Sequence, residues 1–156
     1  MTHQLLFPNK YKTIGWIIFV PALVLGVYLT LTDVEPSWLN TKVFSLFASE
    51  GTKNLFSFIT VNLTNTIAGI LFIGGALLVG FSKEKNEDEF IANIRLSSLL
   101  WAVFVNYGLL LLAFIFVYRD AFFTVMVYNM FTVLLIFIIR FNYILYKTST
   151  ATPDEK

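Results

Sequence analysis

The chain has 156 residues, 57% apolar and 17% aromatic, with only 13% charged and a formal net charge of +1. A soluble domain is about one quarter charged, so this composition argues against a large water-soluble core. So small a net charge also excludes a global field that would attract nucleic acid. There is no cysteine, and the single histidine, His3, lies in the N-terminal tail. Disulfides, thiolate metal sites, thiol redox chemistry and haem held by intramembrane histidines are therefore excluded.

Four apolar runs follow one another, at 13–31, 55–81, 96–118 and 121–139. Each is close to or above the roughly 20 residues that a helix needs to cross a bilayer. The reading is an all-α membrane protein with a single integral domain. Four transmembrane helices at about 13–32, 54–81, 89–118 and 121–146 form a helical bundle. The organising stretch is 86–147, a helical hairpin turning at Arg119-Asp120.

Before the first span, Leu5-Leu6-Phe7-Pro8 either dips into the interface or stays loose. Lys10 and Lys12 precede the run as in a signal peptide. Leu29-Thr30-Leu31-Thr32 is not a cleavage site, so an uncleaved helix is expected. Pro21 frees a backbone carbonyl and is expected to kink that helix for packing. In the following loop, Leu39, Val43, Leu46 and Phe47 fall on one helical face and Lys42, Ser45 and Ser49 on the other. This spacing predicts an amphipathic helix over 37–49, opened by Pro36-Ser37 and closed by Gly51, with Trp38 at headgroup depth.

The second span is polar in its first half and small in its second. Asn62, Thr66, Gly69, Ile73, Ala76 and Gly80 form one stripe, the expected seam of the bundle, because small residues let helices approach. Asn62-Leu63-Thr64 matches a glycosylation sequon, but its place within the apolar span makes it a false positive. The next loop carries Lys83, Glu84, Lys85, Asn86, Glu87, Asp88 and Glu89. Asn86 with Glu89 reads as a capping box, and the acids suit a helix N-terminus. The alternative role for Glu87, Asp88 and Glu89 is a docking surface for a basic cytoplasmic partner.

In the third span Arg95, Ser98, Ala102, Asn106, Leu109 and Ala113 share a face. In the fourth, capped by Asp120, Asn129, Thr132, Ile136, Arg140 and Tyr143 do so. Lysines and arginines number eight on the side that holds both termini and the 81–96 loop, namely Lys10, Lys12, Lys83, Lys85, Arg95, Arg140, Lys147 and Lys156. Lys42, Lys53 and Arg119 lie on the other, which predicts both termini inside.

No Asp, Glu, His, Cys or Lys interrupts the apolar runs. Proton-coupled transport usually shows an intramembrane carboxylate, and metal-dependent hydrolysis needs His and carboxylate clusters. The chain is therefore read as non-enzymatic, with no cofactor. What remains is a polar belt near mid-membrane: Asn65, Asn106, Asn129 and Thr132, with Tyr107 and Tyr128 beside them. It serves either as hydrogen-bonding glue between helices or as a pocket for a neutral ligand such as a quinone or lipid. Arg95 and Arg140 lie near the inner interface. They snorkel, pair with Glu87, Asp88 or Glu89, or bind a lipid phosphate.

The segments 93–107 (NIRLSSLLWAVFVNY) and 128–147 (YNMFTVLLIFIIRFNYILYK), with the acidic run before them, resemble a group of small uncharacterised bacterial four-helix membrane proteins often encoded beside helix-turn-helix regulators. The resemblance covers the C-terminal half and transfers no site residue. It implies a bacterial inner (cytoplasmic) membrane location and a pairing with a cytoplasmic regulator. The first functional expectation is a regulatory or accessory protein acting through helix packing and a charged cytoplasmic loop. The alternative is a carrier or sensor of a small neutral or lipid-like ligand between the helices. The bilayer, a cytoplasmic protein and a second copy of the chain are the partners left open, without direct nucleic-acid binding.

Overall fold

A computed structural model describes residues 6–32, 36–47 and 55–151. Along the chain these form α1 (Lys10–Thr32), β1 (Asn40–Phe47), β2 (Leu55–Asn62), α2 (Thr64–Gly80), α3 (Glu89–Phe116) and α4 (Asp120–Ala151). α1 is continuous through Pro21. Asp120 opens α4, as expected, after a short turn in which Arg119 takes a left-handed backbone at φ 63°.

Two expectations are corrected. Residues 37–47 do not form an amphipathic helix, and the second span is not helical over 55–62; residues 48, 49 and 54 of these readings lie outside the described residues. A single 3-10 turn at Ser37–Leu39 leads into β1, and β2 occupies the first part of the second apolar run. The strands pair antiparallel from Asn40↔Asn62 to Phe47↔Leu55. The physical reason is residue type. Thr41, Val43, Ile59, Thr60 and Val61 are β-branched and Phe44 and Phe58 aromatic, the residue types that pack best on a pleated ribbon. Hydropathy summed over 55–81 cannot distinguish a strand from the helix that follows it.

Asn62 marks the change from strand to helix. Its amide Nδ2 donates to the Pro36 carbonyl at 2.8 Å and to Asn40 Oδ1 at 3.0 Å. Its Oδ1 accepts from the Thr64 backbone N–H at 3.0 Å and from the Thr64 hydroxyl. One side chain thus ties the base of the hairpin to the start of α2, an Asx-type turn that supplies partners for otherwise orphan groups. The sequon asparagine is therefore engaged at the foot of a hairpin, outside any helix.

α1 packs on α2, α2 on α4, and α4 on α3, giving the order α1–α2–α4–α3. α2 is the inner member and presents two seams, of which the sequence stripe captured one. Gly69 lies beside Phe131 and Gly80 against Phe137, both on α4. The second seam, Ala68, Phe72, Gly75 and Val79, is also buried. Here contact with α1 is close enough that a Cβ on Gly75 would stand 2.8 Å from the Phe19 backbone, and one on Gly15 2.8 Å from Val79 N. Small residues at both points let the two helices meet backbone to backbone.

The buried cluster of Phe19, Phe72, Ala76, Val79, Ala102, Phe137, Ile138 and Phe141 spans all four helices. On α3, Arg95, Ser98, Ala102 and Asn106 are buried on one face, as the spacing predicts, whereas Leu109 of that face is exposed. On α4 the expected face is displaced. Phe137, Ile138 and Phe141 are the buried residues, while Tyr143 is exposed. Large apolar side chains point outward along the helices, among them Ile17 at 67%, Phe104 at 80% and Phe116 at 75% exposure. Apolar surface on this scale is stable against hydrocarbon, not water. Three helices, Lys10–Thr32, Glu89–Phe116 and α4 over Asp120–Ser149, are long and apolar enough to cross a membrane.

Candidate functional site: a groove between three helices

The polar belt divides into two separate groups. Asn106, buried on α3, donates from Nδ2 to Asn129 Oδ1 at 3.0 Å, and Asn129 Nδ2 returns a bond to Asn106 Oδ1 at 3.2 Å. This reciprocal amide pair joins the two arms of the helical hairpin, although counting residues from the turn puts Asn106 level with Thr132 and Asn129 about one helical turn nearer the Arg119-Asp120 turn. Thr132 turns instead to its own helix and donates to the Tyr128 carbonyl at 2.9 Å. Tyr107 is 64% exposed on the outer side of α3. The belt is therefore not one meeting point, because Asn65 sits on α2, away from α3, and helix order keeps it there.

Asn65 and Tyr128 belong to a different feature. They line a cavity of about 700 Å³ between α1, α2 and α4. Its polar atoms come from Thr30, Asn65, Thr124 and Tyr128, all near the hairpin end of their helices. Its deeper wall is apolar and includes Ala22, Leu23, Ala68, Phe72, Phe131 and Leu135. The Tyr128 hydroxyl reaches Thr30 Oγ1 at 3.4 Å across the mouth, a long contact that a small movement would open. The space exists because α1 leans on α2 through its first half. Glycine then keeps the wall low, since an added Cβ on Gly26 would meet nothing within 4 Å. Size and lining are those of a ligand pocket, mostly apolar with a few polar groups gathered at one end.

The charged residues gather at the opposite end, and most are engaged within the chain. Arg95 donates to both Glu87 oxygens, at 2.5 and 3.1 Å, and to the Ser82 carbonyl at 3.1 Å. Its guanidinium also lies 5.0 Å from the centre of the Phe141 ring. Burial opposes ionisation of Glu87. Bonds from Arg95 and the Glu84 N–H, with the charges of Arg95 and Lys83, outweigh that and hold its carboxyl below the ordinary value. Asp88, not Asn86, is the N-cap of α3. Its Oδ1 accepts from the Ile91 N–H at 2.8 Å, while Glu89 is exposed in the first turn. The capping-box assignment is corrected by two residues, because Asp88 is the last residue with an extended backbone. Arg140 pairs with none of the loop acids and stacks its guanidinium 4.3 Å over the Trp101 ring.

A further element at this end was missed by sequence reasoning. The Phe7 N–H donates to the Phe81 carbonyl at 2.9 Å, and the Lys83 N–H donates back to the Phe7 carbonyl at 2.8 Å. Asn9 Nδ2 donates to the Lys83 carbonyl at 2.7 Å, and Lys12 forms an ion pair with Glu84. The segment before α1 is thus clasped to the loop after α2. Backbone bridges leave no side-chain signature, but the opposite charges of Lys12, at the start of α1, and Glu84, in the loop after α2, were a usable signal. Thr30, with its hydroxyl at the groove mouth, was missed as well. It lies on the first span, where no polar stripe drew attention.

The chain is mostly helical, with three helices long and apolar enough to cross a membrane, and its polar groups hold helices together or face the groove. Among the described residues no group of three metal-binding side chains occurs. Comparison with protein-family models, with curated proteins and with solved structures finds no match for this chain.

Proposed function

We infer that the protein is a non-enzymatic carrier or sensor of a lipid-like amphiphile. The ligand lies in the α1–α2–α4 groove with its neutral, hydrogen-bonding head at the hairpin end. The observation that carries this reading is the polarity gradient of the cavity. Thr30, Asn65 and Tyr128 stand at its mouth, and aliphatic and aromatic side chains line the floor. An amphiphile entering sideways from the bilayer satisfies both ends at once, and the donor and acceptor groups select a neutral head over an ionised one. In this arrangement α2, about 26 Å long for its 17 residues, crosses as a fourth span shortened by the hairpin. The termini face the cytoplasm by the distribution of lysine and arginine, and the membrane is a bacterial inner membrane by resemblance.

The regulatory reading draws on the charged loop at the cytoplasmic end. There Glu84, Glu87 and Asp88 are engaged within the chain. Exposed Glu89 is what a basic partner would meet. That leaves the docking surface thinner than the groove, so ligand binding is the preferred function.

The test is to fill the groove without disturbing the fold. Gly26→Leu projects a side chain into open space on a helix that gains propensity from the change. Mass spectrometry of the organic extract of purified wild-type protein is expected to find an amphiphile retained through delipidating washes. The Gly26→Leu protein, with an unchanged melting curve, is expected to have lost it. Equal retention by both proteins would defeat the reading.

A further inference from the structure

The two interfacial arginines are treated differently by the fold. Arg95 is given a carboxylate, a carbonyl and an aromatic face. Arg140 is given the aromatic face alone. Among the described residues the ion pairs are Lys12–Glu84 and Arg95–Glu87, so no carboxylate stands against Arg140. Its Nε is buried with no partner, as are Arg95 Nε and Ser98 Oγ on the α3 side of the same seam. Its guanidinium carbon lies 4.3 Å over the centre of the Trp101 ring, and Trp101 is 45% exposed at the edge of the row of helices.

A guanidinium shielded on one face and unpaired on its edges carries an unsatisfied charge and free donors in a region of low dielectric. Such a group is costly unless an anion comes from outside the chain. The planar fork suits the two unesterified oxygens of a phosphodiester, which it can bind through parallel N–H bonds. On α4, Tyr143 and Lys147 follow Arg140 at helical spacing, and both are exposed. The three make a ladder running from the guanidinium toward the end of the helix. A phosphate at Arg140 therefore has a hydroxyl and an ammonium to meet the rest of a headgroup. The α3–α4 pair lies at one end of the α1–α2–α4–α3 row, so lipid reaches this seam directly.

We propose that Arg140, backed by Trp101 and followed by Tyr143 and Lys147, is a binding site for the phosphodiester of an anionic phospholipid in the leaflet at the clasp end. The site is independent of the groove. It shares only α4 with the groove, adds α3 through Trp101, and lies at the other end of the molecule with the opposite headgroup chemistry. Bound there, an anionic lipid supplies Arg140 with the counter-charge that Glu87 supplies to Arg95.

The experiment compares melting temperatures of the whole chain in phosphatidylcholine nanodiscs with and without phosphatidylglycerol. Wild-type protein is expected to melt higher with phosphatidylglycerol. Arg140→Gln should lose more than half of that rise and Arg140→Lys less than half, while Arg119→Gln, at the other end, keeps all of it. An undiminished rise in Arg140→Gln overturns the proposal. So does an equal rise when soluble glycerol phosphate is added to phosphatidylcholine nanodiscs, because the ligand is then not a lipid. A second measurement does not depend on Arg140→Gln folding. In a chain with Trp16→Phe and Trp38→Phe, brominated phosphatidylglycerol should quench Trp101 more than brominated phosphatidylcholine at equal content. Equal quenching counts against the site.

Discussion

At the end that carries Phe7, Ser82 and Arg95, the helices are joined by a backbone bridge, two ion pairs and a packed aromatic cluster. At the end that carries Thr30, Asn65 and Tyr128, α1, α2 and α4 border an open groove of about 700 Å³ spanned by one long hydroxyl contact. The contrast shows how a small chain can keep an open groove. α1 does not need to close on α4, because the Phe7 clasp and the Gly15 and Gly75 contacts already fix it against α2. The stability of the whole is concentrated away from the open groove.

The largest effect should come from breaking the buried Arg95–Glu87 ion pair. Glu87→Ala leaves Arg95 buried without its carboxylate, and loss of one member of a buried pair costs about 3–5 kcal/mol. Detergent-denaturation curves of the two proteins measure it. The pair also gives this end of the molecule an acid limit. The Glu87 carboxyl is held below its ordinary value in the folded chain, so its contribution is fully present above the unfolded carboxylate range. It is lost as pH falls through the lower folded value. Glu87→Gln should lower stability at neutral pH and flatten this acid dependence. An unchanged acid profile would remove Glu87 from the account.

Next in size is Gly75→Val, which drives a branched side chain into the Phe19 backbone. Overpacking of this kind costs about 1–3 kcal/mol, and Gly75→Ala should cost less. A smaller loss is expected at the amide pair. Asn129→Leu should cost about 0.5–2 kcal/mol, the scale of interhelical bonds in membranes. In a double-mutant cycle, Asn106→Leu with Asn129→Leu should cost less than the sum of the single changes, because no amide is then left unpaired. Strict additivity would mean that the two amides do not interact.

The smallest effect, and the sharpest contrast with Gly75, is expected at the open end. Gly26→Leu should leave stability within about 0.5 kcal/mol or raise it slightly. Two glycines on adjoining helices would then differ in cost because one faces backbone and the other faces empty space. A large loss at Gly26 would mean that the groove is closed in solution.

Much of this was readable from residue order. α1, α3 and α4 were visible as long apolar runs, and the buried Arg95–Ser98–Ala102–Asn106 face of α3 follows from helical spacing. Counting out from Arg119 brought Asn106 and Asn129 within a turn of each other but set Asn106 level with Thr132, which bonds to its own helix instead. The hairpin was not visible, because an apolar strand leading directly into an apolar helix gives one unbroken hydropathy peak. Asn62 held the clue, as a turn former between the β-branched run and the glycine-rich one. The groove was not legible either. It depends on α1 standing beside α2 and away from α4 at one end, a long-range arrangement that no local pattern encodes. Asn65 was therefore assigned to the wrong group, and Thr30 to none.

The most direct measurement is a density map of the protein purified in its native lipid. The account predicts one elongated density in the α1–α2–α4 groove, with its head beside Thr30, Asn65 and Tyr128 and its tail along Ala68, Phe72 and Phe131. A map in which α1 closes on α4 and aliphatic side chains fill that space would contradict it.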